Sequence, residues 1–228
     1  MTVCIAALSD SGKGLVAASD RMATVLIGGI KCERQDEGVN KIWPIPSSGF
    51  VLLAGSDSLG PRLITSALKI IADKKIERIE DIVEVFRQEY QKSRLRDFEQ
   101  SVLNARGFTF ANYYDIHQKL APDLRGAIDT QMGNWSGLID LIVAGKGDDG
   151  VFHLYSVMNP GVSTFHDATG YVCIGSGGPL ATYSLIGSSY KKSSSQEEVK
   201  QIVEEAKKKS EVSPGVGSMT DLRTSKVE

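Results

Sequence analysis

Two runs near the start of the chain, 2–8 and 14–19, are apolar at almost every position. A strand with one face in water alternates polar and apolar residues. These runs do not, so both of their faces must be covered. The turn Asp10-Ser11-Gly12-Lys13 joins them as a hairpin. The pattern returns later. Residues 49–55 read as a buried strand ending in Gly55, and 138–144 and 151–157 flank the turn Gly147-Asp148-Asp149-Gly150. An Asp-Gly pair between two apolar runs favours a hairpin. Residues 171–174 and 221–224 are shorter strand candidates. Strands therefore come in antiparallel pairs at both ends of the chain. This predicts an α+β fold in which two antiparallel sheets stack on each other with helices outside.

The helices are predicted between and after the strands. Ser58-Leu59-Gly60-Pro61 reads as a helix start, with Ser58 as cap and Pro61 in the first turn. Leu63, Ile64, Ala67, Leu68, Ile71 and Ala72 then keep the helical period. A second helix is predicted over 79–103, with Ile82, Val83, Phe86 and Tyr90 as its apolar stripe. Two more are predicted over 180–186 and 196–209, the latter capped by Ser193, Ser194 or Ser195. Residues 104–134, rich in aromatics and glycine, read as an irregular or helical insertion, bounded at its widest by 91–134. The polar segment 28–38 carries no regular pattern.

At 228 residues and 41% hydrophobic, the chain is expected to form one domain, 1–228, with a sizeable core. A net charge of -2 leaves no basic footprint for nucleic acid. Cys4, Cys32 and Cys173 make no CxxC pair, and His117, His153 and His166 are scattered, so neither a metal nor a cofactor is expected. Sparse, unpaired cysteines fit a reducing compartment. No signal segment or membrane-length apolar run stands out, so a cytoplasmic protein with no membrane partner is expected.

The chemistry is sought at the first strand. Once Met1 is removed, a step that the small Thr2 suits, Thr2 carries both a hydroxyl nucleophile and a free amine as base. Such a site needs a cation to keep the amine neutral, a carboxylate to hold the cation, and a backbone N–H for the oxyanion. Lys41, Asp20 and Gly55 stand at predicted strand ends and can fill these places. Singly, each has a plain structural reading: a surface lysine, an exposed pair of Asp20 with Arg21, a turn glycine.

Five stretches in order resemble the proteasome β-subunit family of N-terminal nucleophile hydrolases. They are Thr2 to Ala6, the run 14–24 with Asp20-Arg21, Asn40-Lys41-Ile42-Trp43-Pro44-Ile45, Phe50 to Gly55, and the turn Gly175-Ser176-Gly177-Gly178-Pro179. The resemblance implies a four-layer αββα sandwich and a threonine peptidase or amidase that works through an acyl-enzyme. It implies Thr2 as nucleophile and base, Asp20 and Lys41 as tuners of the amine, and Gly55 as oxyanion donor. Ser176 and Ser213 would hold the amine and relay protons. The family's pocket for the side chain before the cut bond falls on Ala23, Thr24, Leu53 and Asp57. Asp57 would favour a basic side chain. The expected partners are a peptide or protein substrate, further copies in a homo-oligomeric ring, and a regulatory ATPase. The chain departs from the family in its longer connections near Ser11 and over 28–38, in the 91–134 insertion, and in Ser210, which stands where the family has Asp. A non-catalytic ring-forming subunit of the same fold and an acyl transferase or peptide ligase are the alternative readings.

Overall fold

The computed structural model describes residues 2–27, 30–35, 37–56, 58–135 and 139–227. The chain opens with strands β1 (Cys4–Ser9), β2 (Gly14–Asp20), β3 (Met22–Ile27), β4 (Ile30–Gln35), β5 (Ile42–Ile45) and β6 (Gly49–Gly55). Four helices follow: α1 (Leu59–Lys74), α2 (Ile79–Phe98), α3 (Phe110–Ile116) and α4 (Pro122–Asn134). Strands β7 (Ile139–Lys146), β8 (Phe152–Met158), β9 (Val162–Phe165) and β10 (Tyr171–Ile174) come next. Helices α5 (Gly178–Ile186) and α6 (Gln196–Ser210) and strand β11 (Thr220–Lys226) end the chain. Among the described residues this is a mixed α/β chain with six α-helices and antiparallel sheets of four, two and five strands. The four-stranded sheet runs β10-β1-β2-β11, the ribbon is β3-β4, and the five-stranded sheet runs β5-β6-β7-β8-β9.

The two-faced apolar pattern of β1 has a direct cause. Successive side chains of a strand point to opposite faces. Cys4, Ala6 and Leu8 pack with Leu15, Ala17, Leu52, Ile142 and Leu154, which joins the four-stranded sheet to the five-stranded one. Val3, Ile5 and Ala7 pack instead with Ala181 and Leu185 of α5 and with Val199, Val203 and Ala206 of α6. On the five-stranded sheet, Val51, Leu53, Leu141 and Val143 pack against Leu63, Ile64 and Ala67 of α1 and against Ile82, Val83 and Phe86 of α2. Each large apolar side chain buried in this way contributes roughly 1.5–3 kcal/mol.

Helix α1 presses closely on β6 because Gly60 lacks a side chain. A Cβ there would run into the Leu53 side chain. Ser56, not Ser58, serves the helix start: its hydroxyl accepts from Leu59 N–H at 3.3 Å, and Ser58 makes no side-chain cap. Helix α6 begins at a capping box in which Ser195 and Glu198 exchange hydrogen bonds. Pairing in the β7–β8 hairpin and in β10 follows the sequence pattern. Two elements were not anticipated: the β3–β4 ribbon in the polar region around 28–38, and β9, whose four residues are all exposed. The second helix ends as an α-helix at Phe98 and continues over Glu99–Leu103 as a wider turn. Residues 104–134 are helical, with a small core of their own around Phe98, Val102, Leu103, Tyr113 and Ile128. Among the described residues, no helix is long and apolar enough to cross a membrane.

Candidate active site

Strand register brings the site together. Cys4 pairs with Ser19 on one side and with Ile174 on the other. Continuing both ladders past Cys4 sets Val3 beside Asp20 and Thr2 beside Ser176. Asp20 N–H donates to Val3 O at 3.2 Å, and Gly177 N–H donates to Thr2 O at 3.1 Å. The turn after β10 needs its glycine: Gly175 has φ +85°, and a Cβ there would run into the Thr2 carbonyl. Lys41 comes from the other large sheet, just before β5, and its carbonyl accepts from Leu53 N–H at 3.0 Å.

Thr2, Asp20 and Lys41 form one buried chain of polar contacts. Their exposures are 4%, 0% and 5%. The Lys41 ammonium donates to Thr2 Oγ1 and lies 2.9 Å from Asp20 Oδ1. Asp20 Oδ1 also accepts from Val3 N–H at 2.9 Å, and Oδ2 accepts from the N–H groups of Met22 at 3.0 Å and Gly217 at 3.1 Å. Four donors on one carboxylate satisfy a charge that burial would otherwise penalise by several kcal/mol. Thr2 N–H donates to Ser176 Oγ at 3.2 Å. Ser213 Oγ donates to the Ser176 carbonyl at 3.2 Å, so it holds the turn and not Thr2 itself. Ser210 is fully buried and donates to the Lys207 carbonyl at 2.6 Å.

Beside this chain lies a cavity of about 220 Å³, lined by Thr2, Ala23, Val39, Asn40, Lys41, Leu53, Gly55 and Pro61. Of the anticipated pocket residues, Ala23 and Leu53 line it. Thr24 does not line it. Asp57 lies outside the described residues. Gly55 closes β6 at φ +120° at the cavity edge. Val39, Asn40 and Pro61 were not anticipated there, although Asn40 lies in the same stretch as Lys41 and Pro61 in the helix start. Gly217 was not anticipated either. It reaches Asp20 across 197 residues of sequence, which no local pattern signals.

The buried Cys4 thiol near the site donates to Leu53 O at 3.2 Å. Burial pushes its pKa up strongly, so it stays a thiol and does not compete as a nucleophile. Among the described residues, no group of three or more His, Cys, Asp or Glu is placed to hold a metal. The arrangement offers a hydroxyl in contact with an ammonium, a carboxylate that fixes the ammonium, and an apolar cavity next to the hydroxyl. Compared with known proteins, the chain matches no protein-family model and no curated protein.

Proposed function

We propose that the chain is a threonine peptidase or amidase of the proteasome β-subunit type, active once Met1 is removed from Thr2. The observation that carries this reading is the buried chain from Thr2 Oγ1 through Lys41 to Asp20, set against a cavity walled by Leu53 and Gly55. Freed of Met1, the Thr2 nitrogen is an amine held at Ser176 Oγ. It takes the Oγ1 proton as that oxygen attacks a substrate carbonyl. The nearby ammonium of Lys41 disfavours a second positive charge on the amine and favours alkoxide character at Oγ1. The Gly55 N–H receives the oxyanion. Collapse breaks the carbon–nitrogen bond, the amine passes its proton to the leaving nitrogen, and an ester remains on Oγ1. Water then attacks the ester through the same amine, and the acid leaves with Oγ1 protonated again.

The finer architecture belongs to the same proposal: one domain over 1–228, a four-layer αββα sandwich, with 91–134 as an insertion. Its support is the division of the core. One set of β1 side chains packs toward the five-stranded sheet and the other toward α5 and α6. Assembly into a homo-oligomeric ring, served by a regulatory ATPase in the cytoplasm, is also proposed. Support for a partner surface comes from α5. It buries Ala181 and Leu185 yet leaves Leu180, Tyr183 and Ile186 exposed at 37%, 72% and 63%. Native mass spectrometry at micromolar concentration tests the ring, and a monomer alone would remove it. The catalytic reading is tested by N-terminal sequencing of material that hydrolyses fluorogenic peptides. It is expected to begin at Thr2, and active protein that still begins at Met1 would overturn the mechanism.

A further inference from the structure

We infer that Lys207 is a positioning residue for this site: it fixes Gly217 so that the Gly217 amide stays on Asp20. The inference rests on the catalytic reading above for its consequence, but its geometry stands by itself. Lys207 lies in the last turn of α6 and is 1% exposed. A lysine is rarely buried this completely, because removing an ammonium from water costs several kcal/mol unless it is fully paired. Its ammonium has two partners. It donates to the Gly217 carbonyl at 2.7 Å and lies 2.8 Å from Glu211 Oε1.

Gly217 has a second bond on its other side. Its N–H donates to Asp20 Oδ2. The glycine also packs tightly against the start of β3, where an added Cβ would stand 3.1 Å from Met22 Cβ. Met22 N–H is itself a donor to Asp20 Oδ2. The segment 210–217 therefore touches the site twice, through Ser213 on the Ser176 carbonyl and through Gly217 on Asp20. Lys207 grips the far end of that segment. Between Lys207 and Asp20 stands a single residue, and between Lys207 and Thr2 Oγ1 stand only Gly217, Asp20 and Lys41.

A purely structural role would make Lys207 a helix-end ion pair with Glu211, four residues on. Positioning and structural roles separate when the two partners are removed in turn. Lys207→Met releases Gly217. Glu211→Gln leaves the Gly217 bond in place and removes only the charge of the ion pair. For positioning, Lys207→Met lowers kcat about 10- to 100-fold with KM nearly unchanged, since Lys207 does not line the cavity. Lys207→Arg, which keeps a cationic donor, restores most of kcat, and Glu211→Gln changes neither constant. Equal losses for Lys207→Met and Glu211→Gln would overturn the inference.

Amide hydrogen exchange supplies a readout that needs no turnover. In the unmodified protein the Gly217 amide is expected to exchange far more slowly than its neighbours in 211–219. Lys207→Met is expected to speed exchange at Gly217 and Met22, and Glu211→Gln is not. Exchange of Gly217 at the rate of an exposed loop in the unmodified protein would refute the clamp even if no Lys207 variant folds. If the exchange pattern holds while Thr2→Ala leaves turnover unchanged, the peptidase reading fails and the clamp stands.

Discussion

The Thr2 end of the sheets and the helical insertion after α2 are both well packed, but they are built differently. Around Thr2, the packing is polar and long-range. Asp20 gathers donors from Val3, Met22, Lys41 and Gly217, which are remote from one another in sequence. In the insertion, the packing is aromatic and local. Phe98 meets Trp135 edge-on at 5.5 Å and Phe110 at 5.9 Å, and Tyr113 meets His117 at 5.3 Å. The insertion's core is separate from the three clusters that join sheets and helices. Most of its aromatic side chains pack on one another, while Tyr114 is exposed at 63% and the aliphatic Leu124 at 38%. A change at the Thr2 end should therefore alter chemistry before stability, and a change in the insertion should do the reverse.

The largest expected effect is at Thr2. Thr2→Ala should reduce peptide turnover by about 10³-fold or more while leaving the thermal midpoint nearly unchanged. Residual turnover close to the unmodified level would break the contrast. Lys41→Met comes next. It should remove nearly as much activity, and it also leaves the buried Asp20 charge without its cation, at about 3–5 kcal/mol in chemical denaturation. Near-normal kcat in this variant would refute its role.

Phe98→Ala tests the other region. Emptying a nearly fully buried aromatic position should lower stability by about 3–5 kcal/mol, measured by denaturation, with kcat/KM unchanged for the folded fraction. A matching loss of kcat/KM would show that the insertion reports to the site.

Most of the central site was legible because it sits at strand ends. The runs 2–8 and 14–19 pair as a hairpin whose ladder sets Asp20 beside Val3, and the ladder with the 171–174 strand sets Ser176 beside Thr2. Gly55 ends the predicted strand 49–55, and Lys41 precedes its partner β5, which the structure adds. What stayed hidden depends on contacts remote in sequence or on small choices among equivalent groups. Gly217 lies in a tail with no motif and Lys207 in a predicted helix that gives no sign of its partner, and their roles appear only when the chain after α6 is laid against Asp20 at the end of β2. The sequence puts the cap of α1 at Ser58, and the structure gives that place to Ser56, two residues earlier, whose hydroxyl accepts from Leu59 N–H. Strand β9 has no buried face to produce alternation, and β4 of the β3–β4 ribbon is mostly polar in sequence.

Two smaller effects sharpen the contrast. Substrates with Lys or Arg before the cut bond are expected to be preferred over Glu by a few-fold, through a charge-assisted contact with Asp57. Equal kcat/KM for the two, or no change with Asp57→Asn, would remove that role. The smallest effect is at His153, remote from Thr2. Burial pulls its pKa down, but hydrogen bonds to Asp167 at 2.6 Å and Asp149 at 3.1 Å more than offset this, and the net direction is up. A raised folded-state pKa gives stability that is fully present below the unfolded value of about 6.5 and lost as pH rises through the folded value. His153→Gln should therefore cost roughly 1 kcal/mol at acid pH and little in alkaline buffer, with activity unchanged. A cost independent of pH would show that the imidazole acts through packing alone.

Intact mass before and after treatment with a peptide electrophile that bonds both the hydroxyl and the free amine of an N-terminal threonine tests the nucleophile itself. The purified protein is expected to lack Met1 and to gain a single adduct, and Thr2→Ala is expected to gain none. A Met-free protein that takes no adduct, or a Thr2→Ala variant that takes the same adduct, would contradict the assignment of Thr2 as the catalytic nucleophile.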